Sequence, residues 1–518
     1  MLLAALVGCG CTVLRAQTLP SQRVADAAMK RWPAGACASQ TAAPGVSQLL
    51  LQGIDAVWLN SADQPYFEYV RTQVDDCSGV EDMVLGRELL RLYAVTQDKG
   101  YLERAEKVFA ALQKVDSQMA EADSAEPFNA EYALLSHRAE LWPEITRELL
   151  DTERQMHARK GDAGAYMMTL VDALACYPDG DAGKQQLIAA LGREAATAGS
   201  SQDSTATSLR VYALARGVRE GYLPQRYLTV AQRAYRGVMD RSRDGRDATG
   251  AFLLASTEME NVQNAKLGHG DVVMVDGWFN NEKHLDAFGR QVYFHFKWDY
   301  QGNPGYSMLG HIFRNFGAAT QTLLTEPTAA ALRGAQVYVI ASPDTASRVP
   351  APNYANAEDA KQVAEWVKAG GVLMIMENDS GMADLKHFNV ISEQFGIHFN
   401  DVLRNHVIGN DIEKGTLVVR GGEGFFHQPH TLYMKDTCTI TVSAAATTLM
   451  TDHGDVMMAT AKYGKGTVFA VVDPWLYNEY TNGLKLPGEY DNYAGGVELV
   501  RWILQQVPRG PLVKDRTR

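Results

Sequence analysis

The sequence predicts two structural parts, an all-α toroid of helical hairpins (an α/α barrel) followed by an α/β domain. Three observations lead to this prediction. The chain has 518 residues, which is more than one ordinary hydrophobic core accommodates. Residues 21–261 show helical periodicity with short connections, as antiparallel hairpins require. From residue 271, apolar runs alternate with helical segments, which is the pattern of a parallel sheet with crossover helices.

Residues 1–18 are predicted to be a signal peptide. An apolar run at the start is too short to span a bilayer, and small residues follow it as far as Ala16. Cleavage after Ala16 is the favoured interpretation, and lipidation of Cys9 in Leu6-Val7-Gly8-Cys9 is the alternative. The usual basic residues are missing before this run, as they would be if the start were truncated. We expect export to the periplasm or the cell exterior, and no membrane span.

The composition excludes several classes of partner and site. A formal net charge of -12 argues against nucleic acid and anionic membranes. Cysteines Cys37, Cys77, Cys176 and Cys438 lack metal-ligand spacing, so we expect isolated buried thiols, with a Cys37–Cys77 disulfide as the alternative. The histidines show no paired ligand spacing either. We therefore expect neither a metal nor a cofactor.

The helical part is predicted to occupy residues 19–262. Periodicity places helices at 24–32, 47–59, 65–74, 82–97, 101–112, 131–135, 143–157, 163–176, 184–198, 205–219, 224–239 and 250–260. Residues 262–270 are polar and contain two glycines, which is typical of a linker.

The α/β domain is predicted to occupy residues 271–508. Its expected strands are 271–275, 335–341, 371–376 and 465–472. Its expected helices are 306–316, 357–369, 385–395 and 492–505. Residues 399–452 have a less regular pattern of short strands and turns.

Polar residues follow the predicted strands, where open α/β sheets bind ligands. Asp344 follows one strand and Glu377-Asn378-Asp379 follow the next. After the last strand come aromatic residues beside carboxylates and amides, a combination suited to binding a sugar. These candidate substrate-binding residues are Asp473, Trp475, Tyr477, Asn478 and Glu479. The alternative is that they are turn residues that cap the following elements.

Asp82 is the candidate catalytic residue of the helical part. It is predicted to lie in the first turn of the helix at 82–97, where the helix dipole favours a carboxylate. One interpretation is an ordinary helix-terminal charge, and the other is one carboxylate of a sugar-cleaving site.

Several segments together resemble glycoside hydrolase families 88 and 105, the unsaturated rhamnogalacturonyl and glucuronyl hydrolases. They are Glu81–Tyr93 with the following residues to 101, Pro127–Ala133, Tyr166–Leu174, Val211–Leu223 and Ala251–Asn261. The resemblance implies a toroid of six helical hairpins. Residues 271–282, 370–379 and 461–480 resemble the glutamine-amidotransferase-like domain fused to some of these hydrolases, which implies a doubly wound, flavodoxin-like fold. The amidotransferase cysteine has no counterpart.

The resemblance implies removal of an unsaturated uronic acid from the products of pectin- or rhamnogalacturonan-type lyases. In the family, an acid protonates the enol-ether double bond and water adds to the next carbon. Asp82 falls on the first site carboxylate, whereas Ala120 takes the position of the principal acid and Asp123 is its neighbour. Gly161 and Ala165 replace the arginine and tryptophan that bind the uronate, and other site loops are short.

Three hypotheses follow from these departures. The first is an exported uronyl hydrolase that uses altered residues such as Asp82 and Asp123. The second is a non-catalytic descendant that binds carbohydrate or scaffolds a partner. The third is that the sequence lacks segments of a normal enzyme. The expected ligand is an oligosaccharide with a terminal unsaturated uronic acid.

Overall fold

The helices of the amino-terminal part alternate between an inner and an outer ring. The computed structural model describes residues 19–34, 47–77, 84–114, 122–159, 163–197, 202–241 and 245–509. Its helices here are α1 (Pro20–Arg31), α2 (Gln48–Ser61), α3 (Gln64–Asp76), α4 (Gly86–Thr96), α5 (Lys99–Leu112), α6 (Ala122–Ser136), α7 (Trp142–Arg159), α8 (Ala163–Leu174), α9 (Ala182–Thr197), α10 (Ser204–Arg219), α11 (Arg226–Met239) and α12 (Arg246–Asn264). A 3₁₀ turn, Ala139–Leu141, precedes α7.

Burial and packing identify the even-numbered helices as the inner ring. Helices α4, α6, α8, α10, α12 and α2 contact one another in that succession, and each odd-numbered helix packs against its even neighbour. Nearly every residue of α8 and most of α10 and α12 are buried, whereas α7, α9 and α11 bury one face. A helix that is buried all round lies inside its domain, and one with a single apolar face covers it.

Glycine allows α12 and α2 to approach closely where the last inner helix meets the first. A Cβ on Gly53 would lie 2.8 Å from the backbone oxygen of Gly250. A Cβ on Gly250 would lie 2.2 Å from the carbonyl of Leu49. Both distances are below van der Waals contact, so neither position accepts a larger side chain without separating the two helices.

Two of the helix starts that differ from the prediction lie near the candidate catalytic residues. Helix α4 begins at Gly86 because the backbone at Leu85, a completely buried residue, has φ −98° and ψ 9°. Asp82 comes before this start in the sequence and lies outside the described residues. Helix α6 begins at Ala122 rather than at 131 and contains Pro127 in its interior. Packing of Phe128 and Ala130 in the core outweighs the missing proline N–H.

A nine-stranded mixed sheet forms the centre of the second part. Its strands and those of two small hairpins are β1 (Val272–Asp276), β2 (Lys283–Leu285), β3 (Gln291–Tyr293), β4 (Ala319–Leu323), β5 (Val337–Ala341), β6 (Val372–Met376), β7 (Ile397–Arg404), β8 (Thr416–Val419), β9 (His430–Tyr433), β10 (Thr437–Val442), β11 (Ala446–Asp452), β12 (Asp455–Tyr463) and β13 (Gly466–Val471). The helices are α13 (Ser307–Asn315), α14 (Ala357–Ala369), α15 (Leu385–Ser392), α16 (Asn478–Thr481) and α17 (Asn492–Gln506). Short 3₁₀ turns lie at Glu393–Phe395 and Ile412–Gly415.

The sheet combines a parallel half with an antiparallel half. Strands β4, β1, β5, β6 and β13 are adjacent in that order and parallel. Strands β12, β10 and β7 continue the sheet antiparallel, and β11 pairs with β12. Helix α13 packs with α17, and α14 packs with α15. The last toroid helix ends at Asn264 and β1 begins at Val272. The predicted domain limits, 19–262 and 271–508, stay a prediction.

Among the described residues, no helix has both the length and the apolar character needed to cross a bilayer. Cys176 and Cys438 are free and buried, as predicted. The prediction of an isolated thiol is wrong for Cys77, which is disulfide-bonded. Its partner lies outside the described residues, and sequence spacing does not show which cysteines come within bonding distance.

Candidate functional site

Asp172 is the centre of a charged cluster on the inner faces of the toroid helices. Its carboxylate accepts hydrogen bonds from Arg87 of α4 (2.8 Å), Arg216 of α10 (2.5 Å) and the Tyr212 hydroxyl (2.6 Å). The Asp172 side chain is 2 % exposed. Burial alone would raise the pKa of Asp172, but the charges of Arg87 and Arg216 outweigh it and lower the pKa. Asp172 is therefore ionised and joins three inner helices.

The cluster continues from Arg87 to further carboxylates. Arg87 also donates to Glu131 of α6 through Nε (2.9 Å) and Nη2 (2.6 Å). One turn further along α4, Arg91 Nε lies 3.2 Å from a carboxylate oxygen of Asp55 in α2. The side chains of Arg91 and Glu131 remain 32 % and 27 % exposed, respectively. We name this set of residues, together with Glu88, the axial cluster.

Glu88 is a buried carboxyl group of the axial cluster. The residue is 3 % exposed, and neither carboxyl oxygen has a hydrogen-bond partner among the described residues. Burial raises the pKa of Glu88 to about 8, against the opposing charge of Arg87. The carboxyl group is therefore protonated at neutral pH, which is the state that general acid catalysis requires.

The α/β domain covers one end of the inner ring. Gln301 accepts a hydrogen bond from Arg91 (2.6 Å), and the backbone oxygen of Asn482 accepts one from the buried Trp58 indole (3.0 Å). His311 and Asn315 of α13 both contact the Asn60 side chain, at 2.9 and 3.1 Å. The backbone oxygen of Ser136, the last residue of α6, accepts a hydrogen bond from Arg290. These contacts involve the last turn of α2, the middle of α4 and the end of α6.

The structure leaves the two predicted catalytic residues untested. Asp82 lies outside the described residues. Asp123 is the second residue of α6, and its side chain is not among those described. Both assignments stay predictions.

Asp473 and Trp475 are buried in the α/β domain. Asp473 is 2 % exposed, and its Oδ2 accepts a hydrogen bond from the backbone N–H of Lys435 (2.8 Å). Burial raises the pKa of Asp473. Trp475 has no exposed surface, and its indole N–H has no acceptor among the described residues. A sugar would reach Trp475 only after rearrangement of the core around it.

Tyr477 directly precedes the short helix α16, which Asn478 and Glu479 begin. Tyr477 is partly buried against Phe296 and Tyr480. Asn478 is completely buried, and its amide donates to the backbone oxygens of residues 300 (3.0 Å) and 302 (2.8 Å). Glu479 pairs with Lys485 at 2.8 Å. The structure therefore gives Asn478 a role in holding a loop, and sugar binding by all five residues stays a prediction.

Asp344 and Glu377 lie at the carboxyl edge of the sheet, as their positions after β5 and β6 predict. Glu377 is completely buried, its carboxyl oxygens have no partner among the described residues, and burial raises its pKa. Asp344 accepts hydrogen bonds from the side chain of Asn280 (3.3 Å) and the backbone N–H of Asn281 (2.6 Å). In the described part of the chain, no group of three or more histidine, cysteine or acidic residues is arranged to hold a metal ion.

The axial cluster was not predicted, although one feature of the sequence indicates it. Asp172 is the lone charge in the otherwise apolar segment Tyr166–Leu174. A charge inside a fully buried helix needs a partner. Which arginines supply it follows from the closure of the ring and not from local sequence.

A family model covers part of the toroid. Residues 147–256 match the model described as Glycosyl Hydrolase Family 88. The match extends from within α7 into α12 and includes Asp172 and Arg216, whereas α4 and α6 lie before it. No curated protein matches the chain.

Solved structures show weak likeness to the chain. A family 105 glycoside hydrolase from C. acetobutylicum ATCC 824 is 18% identical, with 41% of this chain and 92% of that chain covered and a TM-score of 0.35. A family 88 glycosyl hydrolase from Bacteroides vulgatus is 13% identical, with 47% and 98% covered and a TM-score of 0.38. The mmIFT52 N-terminal domain is 16% identical, with 45% and 97% covered and a TM-score of 0.33. These TM-scores are too low to carry an inference about chemistry.

Proposed function

We propose that the chain is a glycoside hydrolase of the family 88 type that removes an unsaturated uronic acid from the oligosaccharide products of a pectin- or rhamnogalacturonan-type lyase. The match of residues 147–256 to the family 88 model is the observation that carries this proposal. The matched segment contains α8 and α10, which contribute Asp172 and Arg216 to the axial cluster.

The reaction needs a protonated carboxyl group beside the enol-ether double bond and a second group that positions water. Asp82 and Asp123 are the candidates from the family resemblance. Glu88 adds a third candidate, because its buried carboxyl group is neutral at pH 7 and belongs to the axial cluster. Glu131 is more exposed than Glu88 and hydrogen-bonded to Arg87, so it is suited to accepting a proton from water.

A non-catalytic carbohydrate-binding or scaffolding protein is the second candidate function. One observation favours it: the guanidinium groups of Arg87 and Arg216 bind carboxylates of the chain itself. An arginine already paired in this way has fewer donors for the carboxylate of a uronic acid. Gly161, which takes the position of the family's uronate-binding arginine, also favours this second candidate function.

Turnover of a defined substrate distinguishes the two candidates. Purified protein is incubated with unsaturated disaccharides made by a lyase, and loss of their ultraviolet absorbance reports removal of the double bond. Hydrolysis predicts turnover that falls at least tenfold in one or more of Asp82→Asn, Asp123→Asn and Glu88→Gln. The control is Asp179→Asn, because that aspartate side chain is 89 % exposed on the toroid surface. Sugar binding without turnover favours the second candidate, and the absence of both contradicts the two proposals.

Export is proposed on the predicted signal peptide alone. Fractionation of expressing cells, with amino-terminal sequencing of the mature chain, tests this. Cleavage after Ala16 and lipidation of Cys9 give different mature termini.

A further inference from the structure

A cavity lies in the α/β domain where the strand order reverses. Strand β1 has β4 on one side and β5 on the other, and all three are parallel. In such sheets the crevice outside the carboxyl ends of the strands is where ligands bind. Here that crevice is a cavity of about 390 Å³. Its volume is within the usual range of small-molecule sites.

The walls of the cavity combine aromatic rings with amides. Trp278 follows β1, and Tyr293 belongs to the β2–β3 hairpin; both line the cavity and are partly exposed. The amide nitrogens of Asn281 and Asn353 both donate to the backbone oxygen of Trp278, at 3.1 and 2.9 Å. These bonds leave the amide oxygens available to accept from a ligand hydroxyl. Lys283, also in the lining, lies 4.4 Å from the centre of the Tyr293 ring.

Arg348 brings a second positive charge to the cavity, and one edge of its guanidinium group makes no hydrogen bond to an oxygen atom of the described residues. Its Nη1 donates to Glu282 at 3.0 Å. Its Nη2 lies 2.8 Å from the Met382 sulfur, which is a weak acceptor, and its Nε has no partner among the described residues. Nε is buried, and Met382, which is 42 % exposed and does not line the cavity, covers this edge of the group. Because Nε and Nη2 form one edge of the planar group, displacement of the flexible methionine would open that edge to a carboxylate.

A buried hydrogen-bond network supports Arg348 and the chain segment that leads to Asn281 of the lining. Glu282, the partner of Arg348, also accepts a hydrogen bond from His295 (3.0 Å). The buried Lys297 donates to the backbone and side-chain oxygens of Asn280, the residue before Asn281, at 2.9 and 3.0 Å. Such a rigid support reduces the entropy lost when a ligand binds.

We propose that this cavity is a binding site for a carboxylated sugar. The sugar ring packs against Trp278 and Tyr293, its carboxylate is held by Arg348 with Lys283 nearby, and its hydroxyls donate to Asn281 and Asn353. This assignment follows from the lining of the cavity and is separate from the proposed chemistry of the axial cluster. The chain has no Gly-rich phosphate loop, which favours a carboxylate over a phosphate as the anionic group.

Titration of the full chain with saturated uronates tests the proposal, because such sugars lack the double bond on which hydrolysis depends. The probes are galacturonate, digalacturonate and glucuronate, with galactose and galactose 6-phosphate as comparisons, measured by calorimetry. We expect at least one uronate to bind at least tenfold more tightly than galactose and galactose 6-phosphate. Binding that does not prefer a uronate over either comparison sugar, or no binding of any uronate, overturns the proposal.

Variants locate the binding in this cavity. Arg348→Lys retains the charge but loses the two-bond geometry, and we expect at least tenfold weaker uronate binding. Trp278→Ala should weaken binding to the same extent without touching the Arg348–Glu282 pair. The control is Arg333→Gln, an exposed arginine of the same domain that does not line the cavity. Uronate binding that survives Arg348→Lys and Trp278→Ala overturns the proposal, as does binding abolished by Asp82→Asn alone. Failure of the hydrolysis proposal is read separately, as absence of turnover.

Discussion

Replacing Asp172 by asparagine is expected to destabilise the toroid strongly. The substitution keeps the shape of the side chain but removes the charge that faces Arg87 and Arg216. Removing one member of a buried ion pair costs roughly 3–5 kcal/mol, because it leaves the partner charge buried without compensation. Arg87 retains Glu131, whereas Arg216, with a side chain 20 % exposed, retains its contact with the Tyr212 hydroxyl. We therefore expect the lower end, about 3 kcal/mol.

Thermal and urea unfolding, followed by the helical circular dichroism signal, measure this loss. A loss of about 3 kcal/mol corresponds to a fall of roughly 3 °C in Tm when the whole chain unfolds as one unit, at about 2.1 cal/mol/K of unfolding entropy per residue. The matched control is Asp179→Asn, whose exposed side chain should leave stability within about 0.5 kcal/mol. A double-mutant cycle of Asp172→Asn with Arg216→Met should show coupling of about 1 kcal/mol or more. A loss below about 1 kcal/mol for Asp172→Asn would refute the view that this carboxylate holds the ring together.

Three further perturbations test other features of the structure. The folded-state pKa of Glu88 is raised from 4.5 to about 8, so its stabilising contribution is full below pH 4.5 and is lost as the pH rises through 8. The stability of Glu88→Gln relative to the wild type should therefore increase between about pH 4.5 and 8 and stay constant above pH 8, and equal pH profiles would contradict the assignment. Trp475→Ala should lower the free energy of unfolding in urea by about 3–5 kcal/mol, because the ring is completely buried. Trp278→Ala, at a partly exposed ring, should lower it less. An unchanged free energy of unfolding for Trp475→Ala would instead favour an exposed ring that binds sugar. Calorimetry of the full chain should give one unfolding transition, since the Trp58 indole is buried against the backbone of Asn482 in the α/β domain, and two well-separated transitions would show that the two parts unfold independently.

The pattern of apolar residues in the sequence predicts a strand of this fold where the whole strand is buried. All five residues of β5 and all five of β6 are buried, so each strand reads as a continuous apolar run. The antiparallel half of the sheet lacks that signal. Strands β7 and β11 carry polar and exposed residues on both sides of short apolar stretches, and they acquire strand structure by pairing with β10 and β12. Pairing between strands distant in sequence is not visible in local composition.

For the candidate sites too, local sequence does not show which distant segments meet. The predicted sugar-binding group rested on aromatic residues beside polar ones after a strand, yet Trp475 is covered on every side and Asn478 binds backbone. The aromatic residues of the proposed cavity, Trp278 and Tyr293, come from a strand end and a hairpin that meet through the topology of the sheet. Residue types predict that a sugar site is feasible, whereas strand order and hairpin placement determine where its residues meet.

If the axial cluster binds a saccharide, the position of the α/β domain limits the side from which the saccharide reaches it. The described contacts of the α/β domain involve Asn60 in the last turn of α2, Gln97 directly after α4 and Ser136 at the end of α6. The carboxyl-terminal end of the inner ring is therefore covered, and access to the axis is expected from the amino-terminal ends of the same helices. In the sequence, Asp82 comes four residues before α4 begins at Gly86, and Asp123 is the second residue of α6. Asp82 itself lies outside the described residues, and Glu88 is the third residue of α4. If a saccharide enters there, Asp82→Asn should affect turnover more than any substitution at Gln301 on the covered end, and the reverse order would place the entrance at the α/β domain.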